Sequence, residues 1–475
     1  MEIREVEDMI FENFPFEPTE GQRILILALA EFVLNRGQKE AFLFKGYAGT
    51  GKTTLLSALV KAAPKLGYET VLLAPTGRAA KVLASYSGKQ AFTIHKKIYH
   101  PKVTPNGLLY LNRLRNYHKR TLFIVDEASM IQGSKTPADG QFFSDTDLLT
   151  DLIEYVYSGE KCTLLLIGDV AQLPPVGMDV SPAMEVKYLS TNFGILVRNF
   201  ELTEVMRQSL DSGILANATI IRKKILGENY FLPIFALNGF KDIRLLNGPE
   251  LEDALMSAHS GFGSDNSIVI TRSNKRANIY NREIRHRILY REQEISAGDF
   301  MMVVKNNYFW LPAESPAGFI ANGDVIEIMK LKRTSEWYDF HFAEAIIRLV
   351  DYPDQPEIEV KLLLDVIMAE SAALSFTDNQ RLFEEVSKDY DDIPDRRQRN
   401  EKVKNNPFYN ALQVKFAYAL TCHKTQGGQW ETIFIDQPFL KDDKVDKEFL
   451  RWLYTAVTRA TKQVYLINFN EKFFG

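Results

Sequence analysis

Cysteine is nearly absent: Cys162 and Cys422 are the only two in 475 residues. No disulfide framework can hold the fold, and neither cysteine lies in the CxxC or Cys/His spacing of a zinc site. A reducing interior is the expected home and cytoplasmic the expected localisation. Long apolar runs are missing too. The longest near the start, Ile24 to Ala30, falls far short of the ~20 residues needed to cross a bilayer. The opening stretch MEIREVEDMIFENF is acidic, without the basic, apolar, small-residue order of a signal peptide. A soluble protein with no membrane partner is the expectation. Nor is there an excess of positive charge: 57 Lys and Arg face 61 Asp and Glu, for a net charge of -4. Any grip on nucleic acid must therefore be local. No short-period repeat or low-complexity stretch stands out.

What is present is the make-up of a packed soluble protein, 45% hydrophobic and 25% charged, long enough for about two to four domains. From residue 41 short apolar runs alternate with helical stretches: AFLFK (41–45), TVLLA (70–74), TLFIV (121–125) and TLLLI (163–167). They are apolar throughout, which is how strands covered on both faces of a parallel sheet read. After a helical, mixed stretch around 203–260 a second set follows: SIVI (267–270), a helical SNKRANIYNREIRHRI, then FAYAL (416–420), TIFI (432–435) and VYLIN (464–468). The fold class expected is α/β with two parallel sheets. Residues 325–410 differ, with alternating runs VIEIMKLKR and IEVKLLLDVI before the charge-dense KDYDDIPDRRQRNEKVK. That suits an inserted β-containing module with a solvated arm. The expected division is a first domain over 1–200, a second over 201–324 and 411–475, and the 325–410 module between. The segment QGSKTPADGQFFSDT (132–146) reads as a surface loop.

FLFKGYAGTGKTTLL follows an apolar strand and opens a helix, fitting G-x-x-x-x-G-K-T with Gly46, Gly51, Lys52 and Thr53. In such a loop backbone N–H groups close on phosphates, Lys52 reaches the β and γ phosphates, and Thr53 offers its hydroxyl to Mg2+. Gly49, Thr50 and Thr54 complete the cradle, and ATP with Mg2+ is the expected ligand pair. In LFIVDEASM, Asp126 and Glu127 lie just past a strand, Asp126 suited to hold Mg2+ and Glu127 to serve as general base. The other reading is a helix N-terminus decorated with acids. LLLIGDVAQLPPVG sets Gln172 on a proline-fixed loop where an amide can sense the γ-phosphate; alone it would be an ordinary surface residue.

Together with DEAS, that last string resembles motifs II and III of the superfamily 1 helicases, and the resemblance extends over roughly 18–300 and 415–470. LAPTGRAAKVL (73–83) resembles motif Ia, FTIHKKI (92–98) motif Ib, ELTEVMRQ (201–208) motif IV, YALTCHKTQGGQW (418–430) motif V and LYTAVTRA (453–460) motif VI. Order, spacing and the HKTQG and TRA strings are most similar to the RecD/Dda-like branch, whose members move 5′ to 3′. The resemblance implies two RecA-like motor domains and an ATP-dependent DNA helicase that couples lobe closure to hydrolysis. It implies single-stranded DNA and single-strand/duplex junctions as partners, ssDNA-binding or replication and repair proteins as further candidates, and a monomer. A translocase that remodels protein–DNA complexes without unwinding, and a nucleotide-gated DNA clamp, are the alternatives.

For individual residues the resemblance implies Arg459 as arginine finger, Arg207 on the γ-phosphate, Gly428 beside the nucleotide, and Gln22 of PTEGQ (18–22) reading adenine. Singly, Arg207 also reads as a helix-terminal ion pair and Arg459 as a sheet-capping charge. Thr19-x-x-Gln22 also reads as a capping box, and a side chain serving the cap cannot also face the base. Pro75, Thr76, Arg78, Thr93, His95, Lys96, Thr271, Arg272, His423, Lys424 and Thr425 fall on DNA-binding positions. There hydroxyls, imidazoles, loop N–H groups and a few cations hold phosphates, which reconciles an acidic chain with DNA. Taken alone, Thr76 reads as a helix cap and His95 as a core histidine. Between motifs Ib and II, IYHPKVTPNGLLYLNRLR (98–115) carries the turn signal Pro105-Asn106-Gly107 between β-prone runs. A hairpin is expected. The resemblance makes it a duplex-splitting pin with Tyr99, His100 or Tyr110 as the wedge; a hairpin that only braces the first lobe is the alternative.

Overall fold

Apolar strands need cover on both faces, and the first four runs obtain it in one sheet. The structure, a computed structural model, describes residues 2–34, 39–103, 109–133, 147–206, 211–263, 265–312, 315, 317–440 and 445–474. In the first lobe β1 (Glu40–Gly46), β2 (Glu69–Ala74), β3 (Ala91–Thr93), β6 (Thr121–Val125), β7 (Thr163–Gly168) and β8 (Leu196–Leu202) make a sheet in the order β3-β2-β6-β7-β1-β8. Every pairing in it is parallel. Phe42 and Phe44 of β1 pack on one face under the helices Glu20–Leu34 and Lys52–Ala62. Ala41 and Leu43 pack on the other, under Leu148–Ser158. Between β3 and β6 an antiparallel hairpin, β4 (Tyr99–Val103) with β5 (Leu109–Arg113), stands apart from the sheet.

The second lobe repeats the plan. β9 (Ile243–Leu246), β10 (Ser267–Thr271), β16 (Ala419–Thr421), β17 (Trp430–Asp436) and β18 (Ala460–Ile467) form a parallel sheet ordered β16-β10-β17-β18-β9. Between β10 and β16 the chain leaves to build a closed barrel from β11 (Phe300–Val303), β12 (Val325–Trp337), β13 (Phe340–Leu349), β14 (Ile358–Leu363) and β15 (Leu412–Phe416). Its first and last strands lie outside the 325–410 segment. The charge-dense stretch forms the end of helix Phe376–Lys388 and the helix Arg396–Lys404, which lay Leu382, Val386 and Val403 against the barrel.

FAYAL is not one strand. Phe416 ends β15 in the barrel and Ala419 opens β16 in the second sheet. Tyr418, fully buried, pins the crossing: its hydroxyl donates to Asp299 at 2.9 Å and accepts from Arg291 Nη1 at 2.8 Å and the Phe300 N–H at 3.1 Å. Cys162 and Cys422 are buried free thiols. Among the described residues no helix is long and apolar enough to cross a membrane.

Candidate nucleotide site and DNA track

The phosphate-binding candidates sit where a parallel sheet presents its strand ends. The loop after β1 runs Gly46 to Gly51 into helix Lys52–Ala62. Gly51 has φ +88°, in the left-handed region, and a Cβ there would lie 2.5 Å from Gln22 Nε2, so only glycine fits. Thr50, fully buried, donates its hydroxyl to the Tyr47 carbonyl at 2.8 Å. Lys52 Nζ donates to the carbonyls of Gly46 and Tyr47 at 2.8 and 2.9 Å and lies 4.0 Å from Asp169 Oδ2. Thr53 is exposed and Thr54 half-buried in the first helical turn, while Gly49, at φ +75°, turns the loop.

Gln22 carries both of the expected capping contacts and one more. Its Oε1 accepts from the Thr19 N–H at 2.9 Å, its own N–H donates to Thr19 Oγ1 at 3.3 Å, and its Nε2 donates to the Thr50 carbonyl at 2.9 Å. The side chain is 1% exposed. In this geometry the amide makes the capping contacts and joins the helix cap to the P-loop.

At the end of β6, Asp126 accepts the Tyr86 hydroxyl on Oδ2 and the Glu127 N–H on Oδ1, the latter at 2.9 Å. Glu127 adopts φ +55°, left-handed for a non-glycine residue, a strain that clusters at functional sites. Burial pushes its carboxyl above the usual glutamate range, with Arg459 pulling it back down. Gln172, 5% exposed, has an Oε1 without a hydrogen-bond partner. Arg459 comes from the second lobe, just beyond helix Lys447–Val457. Its Nε donates to the Thr455 carbonyl at 3.1 Å, Nη1 to the Gly428 carbonyl at 3.3 Å and Nη2 to Thr458 Oγ1 at 3.2 Å, leaving Nη1 4.0 Å from Glu127 Oε1. The guanidinium faces Glu127 of the first lobe. Gly428 thus touches Arg459. Arg207 lies outside the described residues.

Residues outside the expected set knit the lobes together. Tyr454 accepts the Ala48 N–H of the P-loop at 2.9 Å and donates to Asp169 at 2.7 Å. Thr455 accepts the Leu173 N–H at 2.8 Å, and Gln426 donates to the Leu173 carbonyl at 2.6 Å. Tyr47, Ala171 and Leu173 bury in the second lobe's apolar cluster. The signal for Tyr454 and Thr455 lay in the string LYTAVTRA, one helical turn before the arginine.

Of the DNA-binding candidates, Arg78 and Lys96 of the first lobe meet residues of the second lobe and its barrel. Pro75 stands in the bend after β2. Thr76 caps helix Gly77–Ser87, accepting the Ala79 N–H at 3.2 Å, and Thr93 caps the next helix, accepting the Lys96 N–H at 3.1 Å. Arg78 stacks 4.0 Å from the Trp430 ring centroid and donates to the Asp265 carbonyl at 3.3 Å. Burial lowers His95 to about 4, so the imidazole is neutral near pH 7. Lys96 pairs with Asp324 at 3.4 Å, and Arg272 with Glu448 at 3.3 Å. Lys424, desolvated by burial, falls to about 8, while His423 is exposed. Two expectations need correcting. Thr271 and Thr425 are fully buried, their hydroxyls donating to the carbonyls of Ser273 at 3.0 Å and Cys422 at 2.8 Å. They shape their loops and present no hydroxyl to a strand.

The wedge changes as well. Tyr99 is 7% exposed and donates to Asp151 Oδ2, which with Glu154 also holds Arg113. It anchors the hairpin base to helix Leu148–Ser158 and cannot stack on a base pair; His100 is exposed. The turn 105–107, the side chain of Tyr110 and residues 134–146 lie outside the described residues.

Two RecA-like sheets, one carrying the P-loop and the other an arginine 4.0 Å from Glu127 of the first, make a two-lobed P-loop architecture. An AAA domain model matches residues 20–225 and a UvrD-like helicase C-terminal domain model residues 416–467. The ATP-dependent DNA helicase dda of Enterobacteria phage T4 is 26% identical over 477 residues, 94% of this chain and 99% of that protein. The ATP-dependent RecD2 DNA helicase of Deinococcus radiodurans is 32% identical over 173 residues, 36% of this chain and 20% of that one. A Pif1 helicase structure from Candida albicans aligns at 15% identity, covering 97% of this chain and 96% of that one, with a TM-score of 0.46. The chain is thus similar over nearly its whole length to a phage ATP-dependent DNA helicase, and in its matched parts to an AAA domain and a UvrD-like helicase C-terminal domain.

Proposed function

We propose that the chain is an ATP-dependent DNA helicase that moves 5′ to 3′ along single-stranded DNA and unwinds duplexes. The observation carrying this reading is Arg459, 4% exposed and fixed by three hydrogen bonds, held 4.0 Å from Glu127 by the lobe opposite the P-loop. An arginine delivered across the cleft ties lobe closure to the charge that develops on the transferring phosphoryl group. Lys52 binds the β and γ phosphates, Glu127 takes the proton of the attacking water, and Gln172 reports the γ-phosphate to the second lobe through Leu173. The exposed Thr53 hydroxyl and the Asp126 carboxylate, whose oxygens each keep a lone pair, are hard oxygen donors that fit Mg2+. When bound, that ion neutralises phosphate charge.

The first motor domain is assigned to 1–200 and the second to 201–324 and 411–475, with 325–410 supplying β12 to β14 of the barrel. Arg78, Lys96, Arg272, His423 and Lys424 are the side chains assigned to the DNA track, and a single-strand/duplex junction is its partner. Strand displacement on 5′-tailed and 3′-tailed duplexes tests the reading: release of the 5′-tailed strand alone, dependent on ATP, is expected. Release of the 3′-tailed strand alone removes the direction, and ATP hydrolysis unaffected by single strands removes the motor.

A further inference from the structure

Ser129 Oγ, Gln172 Oε1 and Arg451 Nε are buried atoms with no hydrogen-bond partner, in residues 4%, 5% and 6% exposed. All three residues line one cavity of about 10 Å³, close to the smallest that holds a water. Three elements meet there. Ser129 lies in the turn Ala128–Met130 that follows Glu127, Gln172 in the loop after β7, and Arg451 on the second-lobe helix Lys447–Val457. Arg451 cannot swing away to find a partner. Its Nη1 donates to the Asp179 carbonyl at 2.6 Å and its Nη2 to the Val170 carbonyl at 3.4 Å, which leaves Nε–H as the unpaired donor of a residue that lines the cavity.

We propose that Ser129, Gln172 and Arg451 form a site for one ordered water, through which Arg451 acts as a positioning residue for the Gln172 amide. The donor and acceptor count fits. Arg451 Nε–H only donates, Gln172 Oε1 only accepts, and the serine hydroxyl does either. A water accepting from Nε–H, donating to Oε1 and sharing its remaining hydrogen or lone pair with Ser129 satisfies all three, where leaving them unpaired is costly. The helix that carries Arg451 also carries Tyr454 and Thr455 and ends beside Arg459, so moving it moves the water and turns the amide. The second lobe thereby sets whether Gln172 faces the γ-phosphate. This rests on the proposed reading of Gln172 as the γ-phosphate sensor.

The test is steady-state ATP hydrolysis by the full chain with saturating single-stranded DNA, for the parent, Ser129→Ala, Arg451→Lys and the double variant. Arg451→Lys keeps the charge and can reach the Asp179 carbonyl but has no Nε–H. Each single variant is expected to lower kcat about tenfold with KM for ATP within about twofold, and the double to be no slower than the worse single, since both act through one water. Multiplying losses, or a raised KM at unchanged kcat, overturns the inference. A parent without DNA-stimulated hydrolysis overturns the sensor reading and the inference with it, whereas multiplying losses in a stimulated parent overturn the inference alone. If Arg451→Lys does not fold, Ser129→Ala combined with Gln172→Ala closes the same cycle.

Discussion

The Tyr454 hydroxyl of the second lobe stands 2.7 Å from Asp169 Oδ2 of the first while accepting the P-loop N–H of Ala48 at 2.9 Å. Burial raises that phenol well above its usual range, so it stays a donor at any working pH. Removing it leaves an amide and a carboxylate oxygen, both at the lobe seam, short of a partner. Tyr454→Phe should therefore cost about 1–3 kcal/mol, the usual penalty for stranding buried polar groups. Urea unfolding followed by tryptophan fluorescence measures it, and a loss under about 0.5 kcal/mol would mean the seam is wet and the bond unimportant.

Glu127 allows a pH argument. Its pKa is raised by burial and lowered by Arg459, with burial the larger effect. A general base works ionised, so turnover should rise with pH through an acid limb above the ~4.3 of a free glutamate. Taking away the nearby cation removes the lowering effect, so in Arg459→Ala the limb should move to higher pH on the residual activity. Glu127→Gln should bind ATP and lose turnover by a factor of ~10² or more. A limb that stays put in Arg459→Ala would separate the two residues electrostatically.

Much of this arrangement is legible along the chain, and the reason is local. β1, β6 and β7 are covered on both faces and so read as unbroken apolar runs, and the nucleotide motifs lie within a few residues of their ends. β8, LVRNFEL, does not read as such a run because it lies at the sheet edge, where polar and charged side chains stay part-exposed. The grip on Leu173 joins residues separated by 253 and 282 positions, and no local pattern encodes such a meeting. The same holds for Thr271, Thr425 and Tyr99. Their types suit DNA contact, but what their hydroxyls bond is decided by loops and helices that fold over them.

Arg459→Ala should lower DNA-stimulated ATP hydrolysis by ~10³ or more, the scale for a transition-state arginine, while ssDNA affinity stays near the parent's. Among the described residues the guanidinium bonds Thr455, Gly428 and Thr458 and faces Glu127, and none of these was a DNA-binding candidate. Fluorescence anisotropy with a labelled oligonucleotide, beside an ATPase assay, reads both quantities. A loss of affinity equal to the loss of turnover would relocate Arg459 to the track.

Shortening the hairpin across Pro105 to Gly107 should leave ATP hydrolysis on single strands intact and abolish strand separation, because unstacking a base step costs a few kcal/mol that a wedge must supply. The hairpin base is held independently by Tyr99 and Arg113 on Asp151, so the deletion spares the lobe. Equal loss of both activities would make the hairpin a brace.

Lys96 and Asp324 offer the sharpest test of the DNA track. The ammonium and carboxylate are 3.4 Å apart with side chains 7% and 1% exposed, and the ammonium also lies 3.9 Å from the Tyr352 ring centroid. Lys81 pairs with Asp351 at 3.3 Å across the same contact between the first lobe and the barrel region. If Lys96 serves a phosphate, Asp324 is the group the phosphate must displace. Asp324→Asn should then tighten ssDNA binding at low salt and steepen the plot of log affinity against log salt by ~0.7, the slope per neutralised phosphate of a single strand. Lys96→Ala should flatten the same plot by a similar amount. If instead the pair only props the barrel against the first lobe, stranding one charge should destabilise the fold by about 3–5 kcal/mol and leave the slope unchanged. A salt titration of oligonucleotide binding paired with a denaturant melt separates the two outcomes, and an unchanged slope in both variants removes Lys96 from the DNA contacts.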